Sequence, residues 1–230
     1  MLDFINRPIV LGKVYSIADL ATPSQALSSI DLRPRIPILF IDDEGFVYKE
    51  DLRDENFNIF CSTKIEDFRA VASYPIVICD IKGVGTNFDK EREGLFVIRE
   101  LKKLYPFKHY AVYSGANDYQ INALDGLEGV FRIKKDPDID DWRSYLDEFI
   151  RRATDPKENW KKIRDFLLQN DVPLLDVLRL ESNFVDIYNN RPQQMNLFPE
   201  EKKFPSIKQD IRSIIQSMIA GALLRALIGV

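Results

Sequence analysis

Two apolar patterns divide the chain. Five short apolar runs, at residues 36–41, 57–61, 75–79, 109–113 and 129–133, are separated by longer polar stretches. Runs this nearly continuous mark strands covered on both faces, as in a parallel sheet. Between them the period changes to that of a helix. Leu95, Ile98, Leu101 and Leu104 fall on one stripe of 93–104, and Trp142, Tyr145, Leu146, Phe149 and Ile150 on one stripe of 140–152. Residues 44–55 are more charged and only weakly periodic, which predicts a short helix there. The order reads β(α)βαβαβαβα, and right-handed crossovers make that an α/β, doubly wound five-stranded parallel sheet.

Beyond Asp155-Pro156 the pattern is helical only. Trp160, Ile163, Phe166 and Leu167 predict one helix. Val172-Pro173 then leads into a second, carrying Leu174, Leu175, Val177, Leu178, Phe184, Val185 and Tyr188. Ile207, Ile211, Ile214, Ile215, Met218, Ile219, Ala222 and Leu223 recur at spacings of three and four. The expected organisation is an N-terminal leader (1–35), an α/β domain (36–153) and an all-α extension (154–230). The extension divides into a hairpin (157–190), a polar linker (191–205) and an amphipathic helix (206–230).

Composition narrows the function. With 45% hydrophobic and 30% charged residues among 230, the chain is long enough and apolar enough for a full core. Its net charge of −4 argues against a dominant basic surface and so against sequence-independent capture of nucleic acid. Cys61 and Cys79 each lie in an apolar run, as buried thiols of a reducing compartment do. One histidine and two separated cysteines supply no tetrahedral zinc site. No secretory pattern opens the chain, so a cytoplasmic location is expected. The most apolar stretch, 214–230, is interrupted by Gln216, Ser217 and Arg225 and falls short of the roughly 20 residues that span a bilayer.

Ligands of open parallel sheets bind beyond the carboxyl ends of the strands. The first run ends in Asp42-Asp43-Glu44, the third in Asp80, the fourth in Ser114-Gly115 and the fifth in Lys134-Lys135. Three carboxylates gathered in a crevice repel one another and resist ionising. A hard divalent cation removes that conflict, and Mg²⁺ suits a few carboxylates plus water and phosphate oxygens. A hydroxyl and an ammonium beside them are groups to aim at an anion.

Across 36–153 this set resembles the receiver domain of bacterial two-component response regulators. The resemblance implies a flavodoxin-like sheet of strand order 2-1-3-4-5 and Mg²⁺-dependent phosphorylation of Asp80. Asp43 would bind the ion directly, Asp42 directly or through water, and Lys82 through its backbone carbonyl. Ser114 would bond a phosphoryl oxygen and change rotamer, Lys134 would pair with the phosphoryl group, and Phe131 would be the aromatic switch. It implies a histidine kinase or another phosphodonor as partner, and at most self-phosphorylation and dephosphorylation rather than turnover. Three features depart from the family pattern, the first being an abbreviated first crossover. The 81–94 segment is long and lacks a proline, and Lys134 is followed by Lys135-Asp136-Pro137, which leaves Lys135 as the alternative lysine.

Other readings compete for the same residues. Asp42 and Asp43 also suit helix capping, and a receiver-like fold can persist as a scaffold with its acidic pocket unused. A phosphatase of the haloacid dehalogenase type would use Asp42 as nucleophile, but it wants an aspartate two residues later, where Glu44 stands. Gly83-Val84-Gly85 lacks the third glycine of a dinucleotide fingerprint. His109 is expected to be structural and Trp142, Tyr145 and Phe149 to be core. In 157–192 six basic residues face six acidic ones, so a protein partner or homodimer fits the extension better than DNA. For 206–230 packing on itself or on a second subunit is favoured over a membrane surface.

Overall fold

The computed structural model describes residues 13–21, 28–113, 127–133 and 136–219. Five parallel strands form one sheet: β1 (Ile38–Ile41), β2 (Ile59–Ser62), β3 (Ile76–Asp80), β4 (His109–Tyr113) and β5 (Phe131–Arg132), in the order β2-β1-β3-β4-β5. This is the flavodoxin-like order, whose switch point lies between β1 and β3. Register is continuous across the centre: Ile41 pairs with Cys79, Cys79 with Val112, and Asp80 with Tyr113.

The two-residue period of the strands sorts their side chains onto two faces. Ile38, Phe40, Ile76, Ile78 and Ala111 face a core shared with Leu52 of α2 (Lys49–Asp54) and with Trp142, Leu146, Phe149 and Ile150 of α4 (Ile139–Thr154). Leu39, Ile41, Val77, Cys79, Tyr110 and Val112 face Leu95, Val97, Ile98 and Leu101 of α3 (Glu93–Leu104). A short turn of helix, α1 (Ser29–Leu32), leads to Arg33, whose guanidinium grips Asp147 of α4 through two hydrogen bonds of 2.9 and 2.7 Å. Cys79 is buried and Cys61 half-buried, both as free thiols.

Among the described residues one expected helix is missing, and the helix expected between β4 and β5 lies outside them. Between β2 and β3 the chain forms only a 3₁₀ turn, Phe68–Val71, capped by Asp67, whose carboxylate accepts the Arg69 N–H at 2.8 Å. The segment is short and closes on Pro75, so it covers its face with Ile65 and Val71 instead of a regular helix.

The extension has its own core. Asp155 ends α4 and caps α5 (Pro156–Gln169), and α6 (Leu174–Asn190) folds back on it. Trp160, Ile163, Leu167, Val177, Leu180 and Phe184 meet between them. The 191–205 segment is not a free linker. It contains a 3₁₀ helix, Pro192–Leu197, and buries Met195, Phe198 and Phe204 in the same core. Its polar composition hid three apolar anchors. Of the final amphipathic helix, α7 covers Gln209–Met218, and Ile207, Ile211, Ile215 and Ile219 pack inward. The leader packs here too: the Tyr15 and Ile17 amides donate to Ser182 and Glu181, and Asn189 bonds both Ala21 and Asp19. Among the described residues no helix is long and apolar enough to cross a membrane. The rest of the 206–230 helix lies outside them.

Candidate metal centre

Strand alternation aims three polar groups at one end of the sheet. Asp42 continues the series of Ile38 and Phe40, Asp80 that of Ile76 and Ile78, and Tyr113 that of Ala111. Asp42, Asp43 and Asp80 thereby converge, with one carboxylate oxygen from each within 4.8 Å of the others. Asp42 is buried, Asp80 half-buried and Asp43 exposed.

Each carboxylate has a distinct local environment. Asp42 Oδ1 accepts the Glu44 and Gly45 amides, both at 3.0 Å, which closes the turn after β1. Its Oδ2 accepts the Tyr113 hydroxyl at 2.5 Å. Tyr113 is held by the edge of Trp142, 5.4 Å between centroids, and burial together with Asp42 pushes its hydroxyl well above the ordinary phenol range. The phenol therefore keeps its proton and donates it. Asp80 Oδ1 accepts the Lys82 amide at 3.1 Å, yet burial first, then the charges of Asp42 and Asp43, raise its carboxyl to about 6. Its neighbour Cys79 is fully buried, and desolvation keeps that thiol protonated.

The segment after β3 is shaped around these groups. Gly83 has φ +75°, which favours glycine, and a Cβ there would stand 2.0 Å from Asp43 Oδ2 and push that carboxylate aside. The Gly83 amide donates to Glu93 at 2.9 Å. Gly94 brings the start of α3 against the end of β3, where a Cβ would meet the Asp80 carbonyl at 2.0 Å. Asp89 Oδ1 accepts the Glu91 and Arg92 amides, both at 2.9 Å, which organises the approach to α3. The long loop is thus a folded element.

No protein-family model matches the chain, and no curated protein matches it.

Of the expected site residues, Asp42, Asp43 and Asp80 come together and Lys82 follows on the Asp80 side. Ser114, Lys134 and the alternative Lys135 lie outside the described residues. Phe131 sits beside Ala111 in register, and its ring packs on Tyr145 and Phe149 at 5.6 and 5.2 Å. Sequence reasoning missed Tyr113, which read as the apolar end of a strand. The alternation His109, Ala111, Tyr113 was the available signal, since it places the phenol on the Asp42 face. Three hard oxygen donors, one of them resisting ionisation, form a set able to hold a divalent cation.

Proposed function

We propose that the chain is an atypical response regulator in which Mg²⁺-dependent phosphorylation of Asp80 switches a protein-interaction or oligomerisation output. The observation that carries this reading is the convergence of Asp42, Asp43 and Asp80 beyond the carboxyl ends of a 2-1-3-4-5 parallel sheet. Asp42, Asp43, Asp80 and the Lys82 carbonyl would hold the ion, which supplies charge neutralisation for phosphoryl oxygens. An Asp80 carboxylate oxygen attacks the phosphorus of a phosphohistidine or a small acyl phosphate. The donor's bond to phosphorus breaks, the electron pair leaves with the donor, and an aspartyl phosphate remains. Ser114 and Lys134 are assigned to the phosphoryl oxygens by sequence position, each directly following a residue at the sheet's edge. Phe131 is assigned the switch that reports occupancy to α4.

Incubation with Mg²⁺ and beryllofluoride tests the reading. We expect saturable binding and a changed oligomeric state by light scattering; no binding and no change overturns it. A second reading, an unphosphorylated receiver-like scaffold, is favoured by Asp42, whose oxygens already accept three hydrogen bonds in the fold. Asp42 Oδ1, which already accepts two amides, is poorly placed as a phosphatase nucleophile, while Oδ2 keeps an acceptor site for a cation.

Tyr113 competes with a cation for Asp42 Oδ2. Tyr113→Phe removes a hydrogen bond to a charged acceptor, so Mg²⁺ affinity measured by calorimetry is expected to rise about three- to tenfold. An unchanged affinity would mean that Asp42 does not face the ion.

A further inference from the structure

The opposite edge of the sheet carries a second concave site. Lys108 and His109 open β4 at its amino end, where Phe107 packs into the core of the extension. Between this edge and α7 lies a groove of about 240 Å³. Its walls are apolar, with Leu104 and Pro106 on the sheet side and Ile214 and Met218 on α7. Lys108 and His109 are its basic lining residues. The Lys108 ammonium donates to the Ala72 and Tyr74 carbonyls, both at 2.7 Å, and lies 4.9 Å from the Tyr105 ring centroid. Two of its three N–H groups are thus used, and no carboxylate pairs with it among the described residues.

A second ammonium stands behind the first polar group. Lys162 Nζ lies 2.9 Å from His109 Nε2 and 3.3 Å from the Phe107 carbonyl. Glu158 acts on it at longer range, without an ion pair among the described residues. Burial lowers Lys108 and Lys162 each to about 8, and burial with Lys162 and Arg152 lowers His109 to about 3. At neutral pH the histidine is therefore neutral and accepts from Lys162, while both lysines remain largely charged. Buried cations are ordinarily paired, because an unpaired one forfeits its hydration. Here the groove is lined by Lys108, a half-buried ammonium held only by neutral acceptors, with the half-buried Lys162 reaching His109 from outside the lining.

We propose that this groove binds a free medium-chain monocarboxylate, its alkyl chain between Pro106 and Met218 and its carboxylate at Lys108 and His109. The charge is what commits the occupant: an anion completes the third Lys108 donor, whereas a cation is repelled and a neutral alcohol gains only the apolar contact.

Calorimetry on the full chain with octanoate, octanol and octylamine tests this. Octanoate is expected to bind at least tenfold more tightly than octanol, and octylamine not at all. Lys108→Met should weaken octanoate about tenfold and leave octanol unchanged, while Lys108→Arg retains binding and guards against a folding defect. Ser217 lines the groove from an exposed position on α7, so Ser217→Trp should fill it and abolish binding of both without disturbing the core. Octanol binding as tightly as octanoate, or Lys108→Met binding like the parent, overturns the assignment. So does adsorption to phosphatidylglycerol vesicles, lost in Ser217→Trp, without binding of dissolved octanoate; that result makes this face a membrane contact.

Discussion

Asp80→Asn is expected to abolish covalent labelling by acetyl phosphate while making the metal-free protein more stable. The two effects have one origin. Asp80 is a partly desolvated carboxylate beside two others, and its carboxyl is raised to about 6 from an ordinary 3.8. The folded chain therefore holds this proton more tightly than the unfolded chain. The resulting stabilisation is fully present below about 3.8 and is lost as pH rises through about 6. At pH 7 the ionised group is a net cost. Asparagine removes that cost at nearly constant shape, and screening at a half-buried group leaves a gain of about 1 kcal/mol, or about 2–4 °C in Tm. Calorimetry at pH 5 and pH 7.5 separates the effect, since the two proteins should converge in acid.

Mg²⁺ reverses the comparison. The ion stabilises the parent by RT ln(1 + c/Kd), where c is the free Mg²⁺ concentration, and should stabilise Asp80→Asn far less. Asp42→Asn provides the contrast in chemistry. It should weaken Mg²⁺ dependence yet leave Asp80 able to accept phosphorus at high Mg²⁺. Labelling that survives Asp80→Asn and disappears in Asp42→Asn transfers the nucleophile to Asp42 and ends the response-regulator reading.

How much of this was legible in the sequence differs by element. The strands were, because parallel strands buried on both faces leave apolar runs that no amphipathic helix produces. So were α3 and α4, whose stripes face the sheet, and the carboxylates, because strand ends in such sheets point to one edge. The 3₁₀ turn between β2 and β3 was not. Helix in that crossover was inferred from topology, and the local residues, with Pro75 closing the segment, do not sustain one. Met195, Phe198 and Phe204 were obscured by neighbouring Asn, Gln and Pro, although each is buried. Periodicity detects a face, and an irregular segment has none. Tyr113 and the Lys108–His109–Lys162 group were hidden for another reason. Their significance lies in partners 71 and 53 residues away in the chain, which only the folded register brings into reach.

Arg212→Leu is expected to cost about 3–4 kcal/mol, all of it in the extension. On sequence alone Arg212 is one of the few basic residues on the polar side of the last helix. In the fold it is 3% exposed, and its guanidinium reaches the Pro199 carbonyl at 2.5 Å, the Phe204 carbonyl at 2.9 Å and the Ile207 carbonyl at 3.2 Å. These acceptors belong to the irregular segment between Leu197 and α7, where the Phe204 carbonyl also accepts the Ile207 amide at 3.2 Å and the Pro199 carbonyl relies on Arg212. Leucine keeps most of the apolar stem but leaves carbonyls short of donors in a buried setting, and each such loss costs about 1–3 kcal/mol, less what water recovers. Arg212→Lys should restore only part, because an ammonium lacks the planar fork that reaches separate acceptors. The two tryptophans locate the damage. Trp142 lies in the sheet's core and Trp160 in the extension's core, so Trp142→Phe and Trp160→Phe backgrounds each leave one reporter. In urea, Arg212→Leu should shift the Trp160 transition to lower concentration and leave that of Trp142 nearer its parent position. A common shift of both would show that sheet and extension unfold as one cooperative unit, with Arg212 supporting the whole through the α4–α5 junction at Asp155.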